Sequence, residues 1–372
     1  MSSVYYAGTH TSGYGRYQEK FDYLNNEVWE AVRAGWLLIE NVDNVPGLTD
    51  AEKIKMKAEA KCIIASRYFD AFRHYGGLPI IKASFSGTDA SYDLPRGTVE
   101  ATVNFMVGLL DEAAENLSWG YEADEASNET GRWTRAGALG LKCRILLFAA
   151  SPLFNDNTCY YPGSTDLAVW YGGYKADLWT QCLNACKAFF QELNSKGYYA
   201  LVQAKGTRPS DYRAAYRTAY VYQGSTEILH STRVTTIDAF KSAYYLWHMW
   251  CDNGRLAYTP TQEYIEMFPW ADGTPFDWDK TEKEGKLDNM FTTGTVESGI
   301  TLTRDPRLYE EAIVNGMQKS LDRNTGNMSG TSYELWIGGT DAQKGPKTET
   351  GYYATGYANN KHYMGQDMLR QY

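Results

Sequence analysis

The chain has 372 residues, of which 43% are hydrophobic, 22% charged and 15% aromatic, and its formal charge is −9. This composition is typical of a globular protein, and the length is sufficient to bury a sizeable core in one large domain or in roughly two or three smaller ones. An acidic chain without a block of clustered Lys and Arg argues against nucleic acid or an anionic membrane surface as the main partner.

No segment predicts a transmembrane helix, because the most apolar window, residues 136–154, contains Lys142 and Arg144. The N-terminal residues carry neither the basic region nor the apolar core of a secretion signal. Six cysteines are too few for a disulfide scaffold, and Cys182 and Cys186 are spaced to share one helix face. We interpret the cysteines as buried packing thiols and the five scattered histidines as structural, so that neither a metal site nor a cofactor is predicted.

The first part of the chain predicts helices arranged in pairs. Apolar residues at three-and-four spacing predict a helix over residues 22–42. Thr49 and Glu52 form a capping box for a second helix, which continues to Tyr75 and is broken by the glycines at 76 and 77. These two helices are joined by a short turn.

The same pattern recurs further along the chain. Thr98 and Thr134 are predicted to cap two more helices, and a further helix covers Ala176–Lys196 and ends at Gly197. Gly137 and Gly140, near the start of the helix after Thr134, predict the close approach of a neighbouring helix. Paired helices with short turns indicate a mainly α, tetratricopeptide-like scaffold, although a strict repeat of about 34 residues is absent.

From about residue 236 the chain is dominated by Gly, Thr, Asn, Asp and aromatic residues, and the best helical run covers only residues 260–268. We predict a helical repeat scaffold over residues 15–235 and a loop-rich, irregular second part over residues 236–372. The second part is the predicted location of a ligand, because loops on a rigid scaffold carry many binding sites.

Six short segments carry recognisable sequence motifs: residues 58–81, 94–100, 131–139, 227–229, 259–263 and 304–308. In sequence and in order they resemble the SusD/RagB-type surface glycan-binding lipoproteins of Bacteroidetes. The resemblance implies a single SusD-like domain over residues 1–372, with a helical scaffold and an irregular second half. It also implies non-catalytic binding of an oligosaccharide or polysaccharide at the surface of the outer membrane, and delivery of that glycan to a TonB-dependent, SusC-like transporter.

Two features of the family are not seen in this sequence. Family members begin with a lipoprotein signal and an acylated cysteine, and they continue into further helices that complete the scaffold. We therefore expect the chain to be incomplete at both ends. On this interpretation the membrane is a partner only through a lipid anchor that is not present in this chain.

Independently of the resemblance, the many aromatic residues indicate a ligand-binding protein: the chain has 11 Trp, 30 Tyr and 13 Phe. A buried phenol hydroxyl needs a hydrogen-bond partner, whereas an exposed aromatic ring can stack on the C–H face of a sugar. The densest aromatic group lies in residues 244–255. By the resemblance, the candidate stacking residues are Tyr244, Tyr245, Trp247 and Trp250, the candidate polar contacts are Asn253 and Arg255, and Tyr5, Tyr6 and Tyr14 are further candidates. The alternative for each is packing in the core or between subunits.

Other interpretations stay open at this stage. A glycoside hydrolase of helical toroid type would need two carboxylates across a cleft, such as Asp272 with Asp277 or Asp252 with Glu263, and the sequence selects neither pair. A helical repeat adaptor that binds peptides would explain the helix pairs but not the aromatic loops.

The acids of residues 270–279 lack the spacing of a calcium loop and are interpreted as solvated turn acids. The arginines of residues 304–307 are expected to pair with acids or to cap helix ends.

Overall fold

The computed structural model describes residues 27–88, 93–121, 129, 131–221, 224–231, 260–322, 327–336, 338–341 and 356–361. Two compact units contain these residues. We call them the helical unit, which comprises residues 27–200 and 229–231, and the mixed unit, which comprises residues 201–228 and 260–361. The division at residue 235 and the single domain over residues 1–372 stay predictions.

Within the described residues of the helical unit, five helices pack in succession, each against the next. They are α1 (Glu27–Asn41), α2 (Asp50–Tyr75), α3 (Val99–Ala114), α4 (Arg135–Ala150) and α5 (Ala176–Lys196), with a 3-10 turn at Val42–Asn44. The core between them is formed by fully buried side chains such as Phe72, Met106 and Ile145. This succession confirms the predicted mainly α fold built from helix pairs. No helix within the described ranges is both long and apolar enough to cross a membrane.

Helix ends lie where the capping residues predict them. The hydroxyl groups of Thr49, Thr98 and Thr134 each accept a hydrogen bond from the backbone N–H three residues later. Thr49 also donates its own N–H to the Glu52 carboxylate at 2.7 Å, which completes the capping box. Helix α5 ends at Gly197, whose φ of 65° is a conformation that glycine adopts without strain.

The two glycines after α2 allow three backbone segments to meet. Gly76 has a φ of 73°, and the N–H of Gly77 donates to the carbonyl of Ala168 at 2.7 Å. A Cβ atom on Gly77 would lie 2.1 Å from the carbonyl oxygen of Gly97, which is far below a normal contact. Glycine is therefore required here for close packing of the backbone.

The small residues of α4 also permit a close approach, but the neighbour is not the predicted helix. A Cβ atom on Gly140 would lie 2.6 Å from Cδ1 of Leu229, and one on Gly137 would lie 3.0 Å from the Leu229 carbonyl oxygen. Leu229 belongs to a non-helical segment, in which the ring of His230 stacks on Trp133 at 3.8 Å. The prediction that a neighbouring helix approaches these two glycines is thus wrong, because the non-helical segment around Leu229 lies against them instead.

The described cysteines differ in burial. The five described cysteines are free thiols. Cys62 and Cys182 are buried as predicted, and burial raises the pKa of both thiols. Cys143, Cys159 and Cys186 are half-buried, so the prediction of buried thiols is wrong for these three. Cys251 lies outside the described residues.

The mixed unit combines one helix of 13 residues with shorter helices and strands. The helices among its described residues are α6 (Pro209–Val221), α7 (Gln262–Glu266), α8 (Trp278–Lys283) and α9 (Leu308–Glu311), with a 3-10 turn at Leu287–Asn289. Three antiparallel pairs of strands accompany them: β1 (Thr292–Thr293) with β2 (Thr301–Leu302), β3 (Ala312–Ile313) with β6 (Ala358–Asn359), and β4 (Gln318–Asp322) with β5 (Asn327–Ser332).

A buried carboxylate joins α6 to α9. The Glu310 side chain is 3% exposed and accepts hydrogen bonds from Nε of Arg213 at 2.7 Å and from Nε and Nη2 of Arg217 at 2.8 and 2.7 Å. The neighbouring Glu311 pairs with the ammonium group of Lys361 at 2.7 Å. Because both acids are paired with cations, their burial is compatible with a stable unit.

Candidate binding pocket

The ligand-contacting residues predicted from the sequence lie outside the described part of the chain. Tyr244, Tyr245, Trp247, Trp250, Asn253, Arg255, Tyr5, Tyr6 and Tyr14 all lie outside the described residues. Their role in binding stays a prediction. The described residues of the mixed unit instead contain a cavity of their own.

This cavity is open to solvent and has a volume of about 640 Å³. That volume lies within the range of about 300–1,000 Å³ that is usual for small-molecule sites. One tryptophan and a set of hydrogen-bonding side chains line it; they include Trp270, Asp272, Asp277, Lys280, Glu284, Lys286 and Asn289. We call this cavity the Trp270 pocket.

A tight turn presents Trp270 and Asp272 to the pocket. The N–H of Trp270 donates to the carbonyl of Thr274 at 2.8 Å, and the N–H of Gly273 donates to the carbonyl of Trp270 at 2.9 Å. The Asp272 carboxylate accepts the N–H of Thr274 at 2.9 Å, and this bond lowers the pKa of Asp272. Asp272 is therefore a turn acid, as its sequence context predicts, and it carries a negative charge at neutral pH.

The next wall of the pocket is the start of α8. Asp277 is the N-cap of this helix: its carboxylate accepts the N–H of Lys280 at 2.8 Å, and its carbonyl accepts the hydroxyl of Thr281 at 2.6 Å. The ammonium group of Lys280 makes no hydrogen bond or ion pair with any residue that the structure describes. It is consequently available to a ligand in the pocket.

The segment after α8 closes the far side. Glu284 and Lys286 form an ion pair at 2.7 Å, which lowers the pKa of Glu284. Asn289, at the end of the 3-10 turn, contributes an amide that both donates and accepts hydrogen bonds. The pocket thus combines an indole ring with carboxylates, ammonium groups and an amide.

Arg304 holds the back of the pocket in place. Its side chain is 1% exposed, and it donates from Nε to the carbonyls of Phe268 at 3.1 Å and Pro269 at 3.3 Å, and from Nη2 to the carbonyl of Ile265 at 3.0 Å. Its guanidinium group lies 3.7 Å from the ring centre of Phe276. Burial lowers the pKa of Arg304 to about 10. The expectation that this arginine caps a helix end is confirmed, since the carbonyls belong to the end of α7 and the residues after it.

The segment around Arg304 is also joined to the pocket turn through the backbone. Trp270 and Arg304 form an antiparallel bridge, and the N–H of Ala271 donates to the carbonyl of Thr303 at 2.9 Å. Arg307 pairs with Asp305 at 2.7 Å, which confirms the second part of the expectation for this motif. The position of Trp270 therefore depends on residues 303–305.

The acids near the pocket are not arranged like a hydrolase pair. An acid catalyst of a glycosidase needs a raised pKa, but the pKa of Asp272 is lowered and the carboxylate of Asp277 is engaged as a helix cap. Glu263 is exposed near the start of α7, and backbone and Thr261 hydrogen bonds lower its pKa, while Asp252 lies outside the described residues. Within the described ranges no group of three or more His, Cys, Asp and Glu side chains is placed to hold a metal.

Sequence reasoning missed most of this pocket. It identified the acids of residues 270–279 but interpreted them only as solvated turn acids, and it assigned no role to Lys280, Glu284, Lys286 or Asn289. A tryptophan next to a glycine turn was a usable local signal. The contribution of residues 280–289 to the same cavity has no sequence signature, because it depends on the tertiary arrangement of α8 and the residues after it.

Comparison with known proteins identifies relatives of this chain. Residues 215–371 match the sequence profile of the SusD family. A SusD-like protein from Bacteroides fragilis is similar in structure over 95% of this chain and 59% of its own length, with 19% identity and a TM-score of 0.62. The protein BT4246 is similar over 96% of this chain and 64% of its own length, with 19% identity and a TM-score of 0.65. No curated protein matches the sequence.

The chain spans about three fifths of the length of these two structures. At this level of identity the structural likeness shows a shared fold, and the sequence match to the SusD family is confined to residues 215–371. Both agree with the resemblance seen in the six sequence segments. Residues 215–371 of this chain are thus similar to the SusD family, and the chain shares the fold of SusD-like proteins.

Proposed function

We propose that this protein binds an oligosaccharide or polysaccharide without cleaving it, at the surface of the outer membrane, and delivers it to a TonB-dependent, SusC-like transporter. The observation that supports glycan binding is the Trp270 pocket, which is lined by an indole and by hydrogen-bonding side chains and lies within the segment that matches the SusD family. Members of this family are generally non-catalytic binding proteins.

The chemistry of the pocket suits a sugar. The apolar face of a sugar ring packs on an indole, while carboxylates accept hydrogen bonds from its hydroxyl groups. Lys280 and Asn289 donate to hydroxyl and ring oxygens from other parts of the wall. An open cavity binds one part of a glycan and leaves the rest of the chain in solvent.

The aromatic residues of the 244–255 segment form the second part of the proposed site. We propose that Tyr244, Tyr245, Trp247 and Trp250 stack on further sugar units, with Asn253 and Arg255 as polar contacts and Tyr5, Tyr6 and Tyr14 as additional contacts. Each stacked ring contributes about 1 kcal/mol, by analogy with aromatic pairs.

Affinity electrophoresis in polysaccharide gels tests this part of the proposal. Replacing Trp247 and Trp250 together by alanine is expected to abolish retention while leaving the melting temperature unchanged. Trp336→Ala is the matched control, because Trp336 is 51% exposed and does not line the pocket. Unchanged retention of the double variant rules out the 244–255 segment as a stacking site.

Absence of catalysis is tested by incubating the protein with glycans that it retains and measuring new reducing ends. We expect no turnover, and sustained release of reducing ends contradicts a purely binding role.

Delivery to a transporter is tested by cross-linking in native outer membranes followed by mass spectrometry. Recovery of a TonB-dependent transporter is expected, and its consistent absence contradicts this partner.

A further inference from the structure

The Trp270 pocket has a charge pattern that bears on the class of glycan it accepts. We propose that this pocket selects uncharged saccharide units and disfavours units that carry a uronate carboxylate or a sulfate ester. The inference rests on the proposed function, since it specifies the ligand of the same site. Nothing in the family assignment distinguishes neutral from acidic glycans.

The lining of the pocket is negative overall. It contains the carboxylates of Asp272, Asp277 and Glu284 and the ammonium groups of Lys280 and Lys286, which gives a net charge of −1. Glu284 and Lys286 neutralise each other in their ion pair. Asp272, Asp277 and Lys280 are the charged lining residues outside that pair, so an anionic ligand gains one attraction and meets two repulsions.

The hydrogen-bonding pattern favours the same class of ligand. The Asp272 carboxylate accepts hydrogen bonds from the backbone N–H and the hydroxyl of Thr274, and the Asp277 carboxylate accepts the N–H of Lys280. Because a carboxylate has about four acceptor positions, further positions stay open on both side chains. These positions require donors from the ligand. The hydroxyl groups of a neutral sugar supply donors, whereas a carboxylate or sulfate group supplies only acceptors.

The charges on the acids persist at neutral pH. A backbone hydrogen bond stabilises the ionised form of Asp272, and the ion pair with Lys286 stabilises that of Glu284. An acidic sugar therefore cannot enter as the partner of a protonated side chain in the way that two carboxyl groups share a proton. The whole chain adds to the repulsion, because its formal charge is −9.

A glycan array that carries neutral oligosaccharides beside their uronate and sulfate-ester counterparts tests the inference, with titration calorimetry of matched pairs. We expect the neutral member to bind at least about fivefold more tightly, the factor that corresponds to ~1 kcal/mol between unit charges 4 Å apart in water. The preference is expected to decrease at high salt, because salt screens exposed charges.

Two variants assign the preference to this pocket. Asp272→Asn keeps an acceptor for the Thr274 N–H and removes one charge, so the preference for neutral ligands is expected to fall about fivefold. Asp279→Asn is the matched control, since Asp279 lies in α8 but does not line the pocket. The preference of this variant for neutral over acidic ligands is expected to equal that of the wild type.

The outcomes separate the two proposals. If the wild-type protein binds acidic members as tightly as neutral ones, the inference is overturned while glycan binding stands. If the preference exists but Asp272→Asn and Asp279→Asn leave it equally unchanged, the pocket is not its origin and the inference again fails. If no saccharide on the array binds, the proposed function itself is contradicted.

Discussion

Replacing Arg304 by methionine tests how the back of the Trp270 pocket is held. The change removes a buried cation that satisfies the carbonyls of Ile265, Phe268 and Pro269 and stacks on Phe276. Methionine retains the apolar part of the side chain and therefore leaves most of the packing volume filled. The stabilisation that this variant loses therefore comes mainly from the hydrogen bonds of the guanidinium group.

The magnitude follows from opposing contributions to the free energy of unfolding. Hydrogen bonds from a charged group contribute roughly 1.5–3 kcal/mol each, and a desolvated guanidinium over an aromatic ring contributes about 2 kcal/mol. Against this, burial lowers the pKa of Arg304 from 12.5 to about 10, which corresponds to a cost of about 3 kcal/mol for holding the charge. With two donor nitrogens engaged, the net expected loss of stability is about 3 kcal/mol.

Urea unfolding followed by tryptophan fluorescence measures this loss. Arg307→Met is the matched control, because Arg307 makes a surface pair with Asp305 and is expected to contribute less than about 1 kcal/mol. If Arg304→Met and Arg307→Met reduce the free energy of unfolding equally, the description of Arg304 as the residue that holds the pocket is refuted.

Three further predictions concern the two units. Gly77→Ala places a Cβ atom 2.1 Å from the Gly97 carbonyl oxygen and is expected to destabilise the protein by about 3 kcal/mol, seen as a lower melting temperature; an unchanged melting temperature contradicts the close packing. The hydrogen bond from Arg135 lowers the pKa of Glu192 to about 2 from an ordinary value of 4.5, so this stabilisation is complete above pH 4.5 and is lost as the pH falls towards 2. Because solvent screens this partly exposed pair, Glu192→Gln should reduce stability by about 1 kcal/mol at pH 7 and by almost nothing at pH 2, and an equal reduction at both pH values contradicts the pairing. Glu310→Gln leaves two arginines without their carboxylate and is expected to cost about 3 kcal/mol in urea unfolding, whereas a change below about 1 kcal/mol contradicts its structural role.

The helix boundaries could be predicted from the sequence because the interactions that set them are local. The capping box of Thr49 and Glu52 spans three residues, and Gly197 ends α5 through its own backbone conformation. Both signals depend on neighbours in the chain, so no tertiary information is needed to recognise them. Gly137 and Gly140 mark the limit of such reasoning, since they predict a close approach but not that Leu229 makes it.

The abundance of tyrosine is only weak evidence for a ligand-binding surface. The hydroxyl groups of Tyr68 and Tyr121 are buried and donate to the carbonyls of Pro79 and Trp133, and that of Tyr357 donates to Gln262. A part of the aromatic surplus therefore packs in the cores with backbone or side-chain partners. Composition counts rings but does not distinguish a buried phenol with a partner from an exposed one.

The Trp270 pocket could be predicted only in its local part. The turn acid Asp272 and the helix cap Asp277 follow from residues that adjoin them in sequence. The cavity itself requires Arg304 and the bridge between Trp270 and Arg304, which bring a distant segment behind the turn. A buried arginine that bonds only to carbonyls among the described residues has no pattern that distinguishes it from a surface arginine.

Capture of a glycan without cleavage is tested most directly by affinity electrophoresis of the wild-type protein through gels that contain neutral polysaccharides, with each retained polysaccharide assayed for new reducing ends. The predicted result is retardation in at least one gel and no increase in reducing ends. Equal migration in every gel, or reducing ends that accumulate with time, would contradict it.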